Sequence, residues 1–82
     1  MSNTIEPIRT YIQQHILLKP DAPITDDEDL LLSGVLDSIS VMKLVAHIET
    51  EFGITVPAED VILEHFGTLL VIDQYINTRT AS

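Results

Sequence analysis

The chain has 82 residues, no cysteine, and a net charge of −9 from thirteen acids against four bases. Such a surface repels the phosphates of nucleic acid and of anionic membranes, so neither is an expected partner. The lack of cysteine removes disulfides, thiolate metal sites and a thiol nucleophile supplied by the protein itself.

Apolar residues make up 45% of the chain and aromatics are few, which excludes a disordered segment and suits a small Leu, Ile and Val core. One domain over 1–82 is the expectation, as a monomer. A domain this small buries only about 60% of the surface its unfolded chain exposes, so its stability should be modest. No apolar targeting region and no transmembrane stretch stands out, which favours the cytoplasm. The charge favours protein partners that carry a basic patch.

Residues 4–18 read as the first helix. Thr4 is placed as its N-cap, and Pro7 falls in the first turn, where a missing N–H matters least. Ile5, Ile8, Ile12 and Ile16 recur at three- and four-residue steps and form one apolar stripe. Residues 19–36 then make a long connection, opened by Pro20 and Pro23. Four consecutive acids, Asp26, Asp27, Glu28 and Asp29, precede Leu30, Leu31 and Leu32. A loop this long needs anchors, so these leucines and Val35 are expected in the core, through a short helical turn.

Residues 38–52 read as the second helix, with Asp37 as N-cap and Val41, Leu44, Val45, Ile48 and Phe52 facing inward. Gly53 stands where a left-handed residue ends a helix. "ITVP" runs extended into Pro57, and Ala58 to Leu63 form a short helix. Gly67 and Thr68 punctuate, with Thr68 capping a last helix over 69–77 that turns Leu69, Ile72 and Ile76 inward. The tail "TRTAS" is expected to fray. The sum is an all-α, four-helix-type bundle of three longer helices and one short, with a long first loop.

The chemistry centres on Ser38. A serine nucleophile needs a base and an oxyanion hole. No G-x-S-x-G surrounds Ser38, no strand feeds it, and His47 lies more than two turns along the same helix. No catalytic residue is therefore assigned. A helix cap is the bland reading, but Asp37 competes for that place. The third reading is attachment, because a helix N-terminus offers free N–H groups and partial positive charge and tolerates a phosphate well.

Other candidates are weaker. The acids from Asp27 onward lack the alternation and glycine of an EF-hand, since Leu31 and Leu32 occupy those places. His15, His47 and His65 show no ligand spacing, so no metal site is expected. Glu49 and Glu51 are two residues apart on a helix and face different ways.

The stretch "GVLDSISVMKLVAHIETEFGITVP" resembles the signature of acyl carrier proteins and the peptidyl and aminoacyl carrier domains. The match runs through Asp37, Ser38 and Ile39, the Glu49–Phe52 segment, and Ile54, Val56 and Pro57. The resemblance implies that a phosphopantetheinyl transferase attaches the phosphopantetheine arm of coenzyme A to Ser38, with Asp37 capping the helix and positioning the site. The arm's thiol would then carry acyl or aminoacyl groups as thioesters between loading and processing enzymes. Ile39, Met42, Lys43, Ala46 and Glu49 become the candidate partner contacts.

The second helix is less acidic than in carriers of fatty-acid synthesis, and "AEDVILEHFGTLLVI" is closer to the "F-x-T" carriers of polyketide and nonribosomal peptide pathways. The resemblance therefore implies a free-standing carrier of a dedicated pathway. A fatty-acid carrier or a D-alanyl-type carrier is the alternative within the family, and an unmodified acidic interaction domain is the alternative outside it.

Overall fold

The computed structural model describes residues 4–80 of the chain. The isoleucine stripe builds the first helix, α1 (Ile5–Tyr11), which continues without a break into a π-helical turn (Ile12–Ile16). Ile8 and Ile12 are fully buried, and Ile5 and Ile16 pack at the core's edge. The helix ends before residue 18. The Leu17 N–H donates to Ile12 at 2.8 Å, the wide spacing of a π turn, and Lys19 donates back to Gln13 at 2.8 Å. Between them Leu18 turns left-handed, with φ of 57°. Pro20 disfavours a helical Lys19 and so stops the element from running on.

Thr4 precedes α1 as expected, yet it does not cap it. Its N–H and its hydroxyl both donate to Asp73 Oδ1, at 2.7 and 2.8 Å, and fasten the start of the described chain to the last helix.

The long loop is stitched down rather than loose. Arg9 donates to the Ile24 carbonyl at 2.9 Å and pairs with Glu6 and Asp26. Leu30 donates its N–H to Gly67 at 2.7 Å, and Leu70 donates to Asp26 at 3.2 Å. Ile24, Leu30 and Leu36 are buried, and Leu31 and Val35 pack against the core. Leu32 departs from expectation, being 82% exposed. Three successive side chains cannot share one face, and the turn they sit in is set by Asp29, whose carboxylate accepts the Leu32 N–H at 2.8 Å. That turn is not continued into a helix.

The second helix, α2 (Ser38–Phe52), buries Val41, Leu44, Val45 and Ile48 and ends at left-handed Gly53, whose N–H donates to Glu49 at 3.0 Å. The short helix read over Ala58–Leu63 is two pieces. A 3₁₀ turn (Ala58–Asp60) stops where Val61 and Ile62 leave helical backbone, and α3 (Leu63–Phe66) follows. A Cβ on buried Gly67 would stand 2.6 Å from the Leu63 carbonyl oxygen, so glycine alone fits there.

Thr68 caps as expected, accepting the Val71 N–H at 3.2 Å. The last helix, α4 (Leu69–Thr80), runs three residues beyond its expected end, so residues 78–80 are helical where an irregular tail was expected; Ala81 and Ser82 lie outside the described residues. Arg79 holds this last turn by donating to the Thr55 carbonyl at 3.0 Å.

The bundle is all-helical, and α4 packs against α1, α2 and α3. Phe66, Ile12, Leu30, Leu44, Ile48 and Ile72 are fully enclosed at its centre. Each such side chain contributes about 1.5–3 kcal/mol. Tyr75 is buried beside Phe66 and donates to Asp60 at 2.7 Å; burial and that carboxylate push its hydroxyl up to about 12. Among the described residues no helix is long and apolar enough to cross a membrane.

Candidate functional site

The start of α2 is built by one carboxylate. Asp37 is extended, with φ of −105° and ψ of −174°, and its Oδ1 accepts N–H groups from Ile39 at 3.0 Å and Ser40 at 2.7 Å. The Ser40 N–H and hydroxyl, and then the Ile39 N–H, hold the Asp37 carboxyl below its ordinary range. Two of the helix's orphan donors are thereby satisfied.

Ser38 is the first residue of α2 and is exposed. With the cap already supplied, its hydroxyl makes no hydrogen bond among the described residues. No histidine attends it. His47 is stacked on Tyr11, with ring centroids 3.9 Å apart, and His65 lies against Tyr75 at 4.8 Å. Neither arrangement forms a nucleophile–base pair with Ser38. Among the described residues no group of three or more His, Asp or Glu is placed to hold a metal ion.

The expected contact residues divide into two sets. Ile39, Met42, Lys43 and Ala46 are all exposed and recur at three- and four-residue steps, so they form one outer stripe running back from Ser38. Ile39 and Met42 are 69% and 57% exposed, high for apolar side chains. Glu49 stands apart from them. It is half-buried, and its carboxylate accepts the Val56 N–H at 2.8 Å, which ties the extended "ITVP" segment to α2. Glu51 borders a shallow groove with His47, Tyr11 and Pro7 on the α1 side. The outer stripe is thus free of acids.

An exposed hydroxyl with no hydrogen bond among the described residues, at the start of a 15-residue helix, suits a phosphodiester better than it suits catalysis. The phosphopantetheine attachment site pattern matches residues 6–75 of the chain. The protein belongs to the phosphopantetheine-attachment carrier family. The acyl carrier protein of Zymomonas mobilis subsp. mobilis is 31% identical over 81 residues, 99% of this carrier and 100% of that one. A D-alanyl carrier protein of Streptococcus suis is 40% identical over 63 residues, 77% of each chain. One chain in a crystal structure described as that of an FAD-dependent dehydrogenase superposes with a TM-score of 0.73 and 30% identity. That match covers 83% of the carrier and 96% of the other chain.

The cofactor of the family is a covalently attached phosphopantetheine, and the chemistry it supplies is a thiol that holds a cargo group as a thioester. The residues at the start of α2 fit such a group. The carrier offers an exposed hydroxyl, helical N–H groups around it, and no side chain of the described residues that closes over it.

Two structural features have no counterpart in the sequence analysis. The left-handed Leu18 has no local signal, because glycine is the usual mark of that backbone and leucine is not. The Tyr11–His47 stack joins residues 36 positions apart, and only the packing of α1 on α2 brings them together.

Proposed function

We propose that Ser38 is the attachment residue and that the protein is a cytoplasmic carrier, itself without catalytic activity. The observation that carries this is the division of labour at the start of α2. Asp37 alone performs the cap, so the neighbouring hydroxyl is left free for chemistry.

In the attachment step the Ser38 hydroxyl oxygen forms a new P–O bond to the pantetheine-side phosphorus of coenzyme A. The P–O bond of the pyrophosphate breaks, and adenosine 3′,5′-bisphosphate leaves with the electron pair. The serine proton passes to a base of the phosphopantetheinyl transferase. The resulting phosphodiester sits in the positive field of the helix N-terminus. Asp37 orients the turn, and Ile39, Met42, Lys43 and Ala46 meet the enzymes that load and process the cargo.

The pathway is read from the same face. An acid-free outer stripe in a protein of net charge −9 suits a dedicated polyketide or nonribosomal-type pathway better than fatty-acid synthesis. The D-alanyl carrier relative, at 40% identity, supports a second reading, an activated amino acid such as D-alanine as cargo.

The test is intact mass after incubation with coenzyme A, Mg²⁺ and a broad-specificity transferase. Wild type should gain one phosphopantetheine, and Ser38→Ala none. Modification of Ser38→Ala at another residue would overturn the assignment. The loaded protein is then offered to purified adenylate-forming enzymes with amino and acyl acids, and the thioester formed names the cargo class.

A further inference from the structure

Leu18 occupies a backbone that leucine rarely adopts. Its φ of 57° lies in the left-handed region, and its side chain is 75% exposed. A side chain there costs backbone energy, because Cβ crowds the following carbonyl. The fold collects nothing in return, since so exposed a side chain neither fills the core nor caps the helix. The backbone is nevertheless held fixed. Gln13 accepts the Lys19 N–H on its carbonyl at 2.8 Å, and its amide Nε2 donates to the Ala22 carbonyl at 2.7 Å. An apolar side chain is therefore displayed at a defined place on a rigid turn.

That place lies toward the Ser38 end of α2. Tyr11 stacks on His47 and its hydroxyl donates to the Lys43 carbonyl at 3.4 Å, while Pro7 shares a groove with Glu51. The first helix therefore runs antiparallel to α2. Leu18 lies seven residues beyond Tyr11, and Ser38 lies five residues before Lys43 and nine before His47. The rise along the two antiparallel helices therefore puts Leu18 and Ser38 within about two turns of each other in level, on neighbouring elements. A protein that docks over about 800 Å² to reach the Ser38 hydroxyl covers that distance.

We infer that Leu18 is a docking residue for the phosphopantetheinyl transferase, an apolar anchor outside α2 that is kept in strained backbone at a cost to stability. This rests on Ser38 being the attachment site. The occupant follows from that chemistry, because the transferase must close on the surface around Ser38 to deliver coenzyme A, and Leu18 is an exposed apolar group just past the end of the first helix.

Two readouts on the full chain test it: thermal melts, and the rate of mass gain with coenzyme A and each of two transferases of different specificity. Leu18→Gly should raise Tm by a few degrees through relief of strain, and should lower kcat/KM about fivefold or more, chiefly through KM. Leu18→Ala keeps the strain and should lose the same rate without the gain in Tm. Leu18→Met should restore the rate. Unchanged kcat/KM for Leu18→Gly with both transferases would overturn the inference, as would a fall in its Tm. A wild-type dimer in sedimentation that Leu18→Ala abolishes, with modification unchanged, would assign the residue to self-association instead. A wild type that neither transferase modifies would sink the Ser38 assignment itself, and this inference with it.

Discussion

Thr4 and Asp73, 69 positions apart, share one carboxylate oxygen: the Thr4 N–H and hydroxyl both donate to Asp73 Oδ1. Asn77 also donates to that oxygen, at 3.2 Å. Thr4 is 1% exposed, so its two donors have no water to fall back on. Asp73→Ala should therefore cost about 2 kcal/mol, the penalty for stranding buried donors. Urea denaturation measures it. A loss below about 0.5 kcal/mol would mean that the backbone relaxes and rehydrates these groups.

Why this link was hidden, when so much else was legible, follows from where the information lies. Apolar periodicity is local, and it located α1, α2 and α4 and their inward faces. Caps are local too. Asp37, Gly53 and Thr68 act where their residue types indicate. Thr4 has the right type for a cap, but a carboxylate far along the chain outbids α1 for its hydroxyl. Leu18 and Leu32 failed for a related reason, because turn geometry decides their direction and leucine carries no turn signal. At the start of α2, the Asp37 cap and the place of Ser38 as first helical residue were readable from type and order. That Glu49 bonds the Val56 N–H, seven residues on, depended on the path of the "ITVP" segment and was not.

The division of labour at α2 has a thermal signature. Asp37→Ala should lower Tm, since it removes the acceptor of two helical N–H groups, whereas Ser38→Ala should leave Tm nearly unchanged. The pH dependence has a definite sign. Because the folded carboxyl titrates below its ordinary value of 3.8, its contribution is complete above that value and is lost as pH falls through the folded pKa. The Tm gap between wild type and Asp37→Ala should close in strong acid. A larger Tm loss in Ser38→Ala than in Asp37→Ala would reverse the two roles.

His47 makes a second titration visible. Burial against Tyr11 lowers its pKa below 6.5; Glu51 opposes this and His15 reinforces it. The unfolded chain therefore binds the proton first, and this contribution to stability is present above 6.5 and lost as pH falls towards the folded pKa. His47→Phe keeps a ring on Tyr11 and removes the proton site. Its Tm relative to wild type should rise on going from about pH 7.5 to 5.5. A difference that stays constant over that range would show that His47 titrates alike in both states.

Association should depend on salt through the overall charge of −9. Long-range attraction to a basic enzyme surface acts mostly on the rate of encounter, and it is screened as ionic strength rises. Binding rates to a transferase should fall from low to high salt, with dissociation changing little. Lys43→Glu should steepen the dependence, because it adds charge of the same sign to the exposed stripe proposed to meet the enzyme. A flat profile for both proteins would remove steering from the account.

The composition of the outer stripe also gives a prediction about which enzymes this carrier should serve poorly. Discrimination is a difference of affinities, and a mismatched charge is an effective way to widen it. An enzyme that docks on a strongly acidic second helix presents arginine and lysine to it. Here Lys43 stands in that field, and Ala46 offers little apolar bulk on the same exposed stripe. Glu49 does not compensate, because its carboxylate is turned to the Val56 N–H. The loaded wild type should therefore be a slow substrate for fatty-acid elongation enzymes, even when correctly modified. Lys43→Glu combined with Ala46→Met should speed it, by restoring attraction and contact together. The measurement is elongation rate on the acylated protein, wild type against the double variant, with a fatty-acid carrier as reference. Elongation of wild type at the reference rate would return the protein to fatty-acid synthesis and remove the argument for a dedicated pathway.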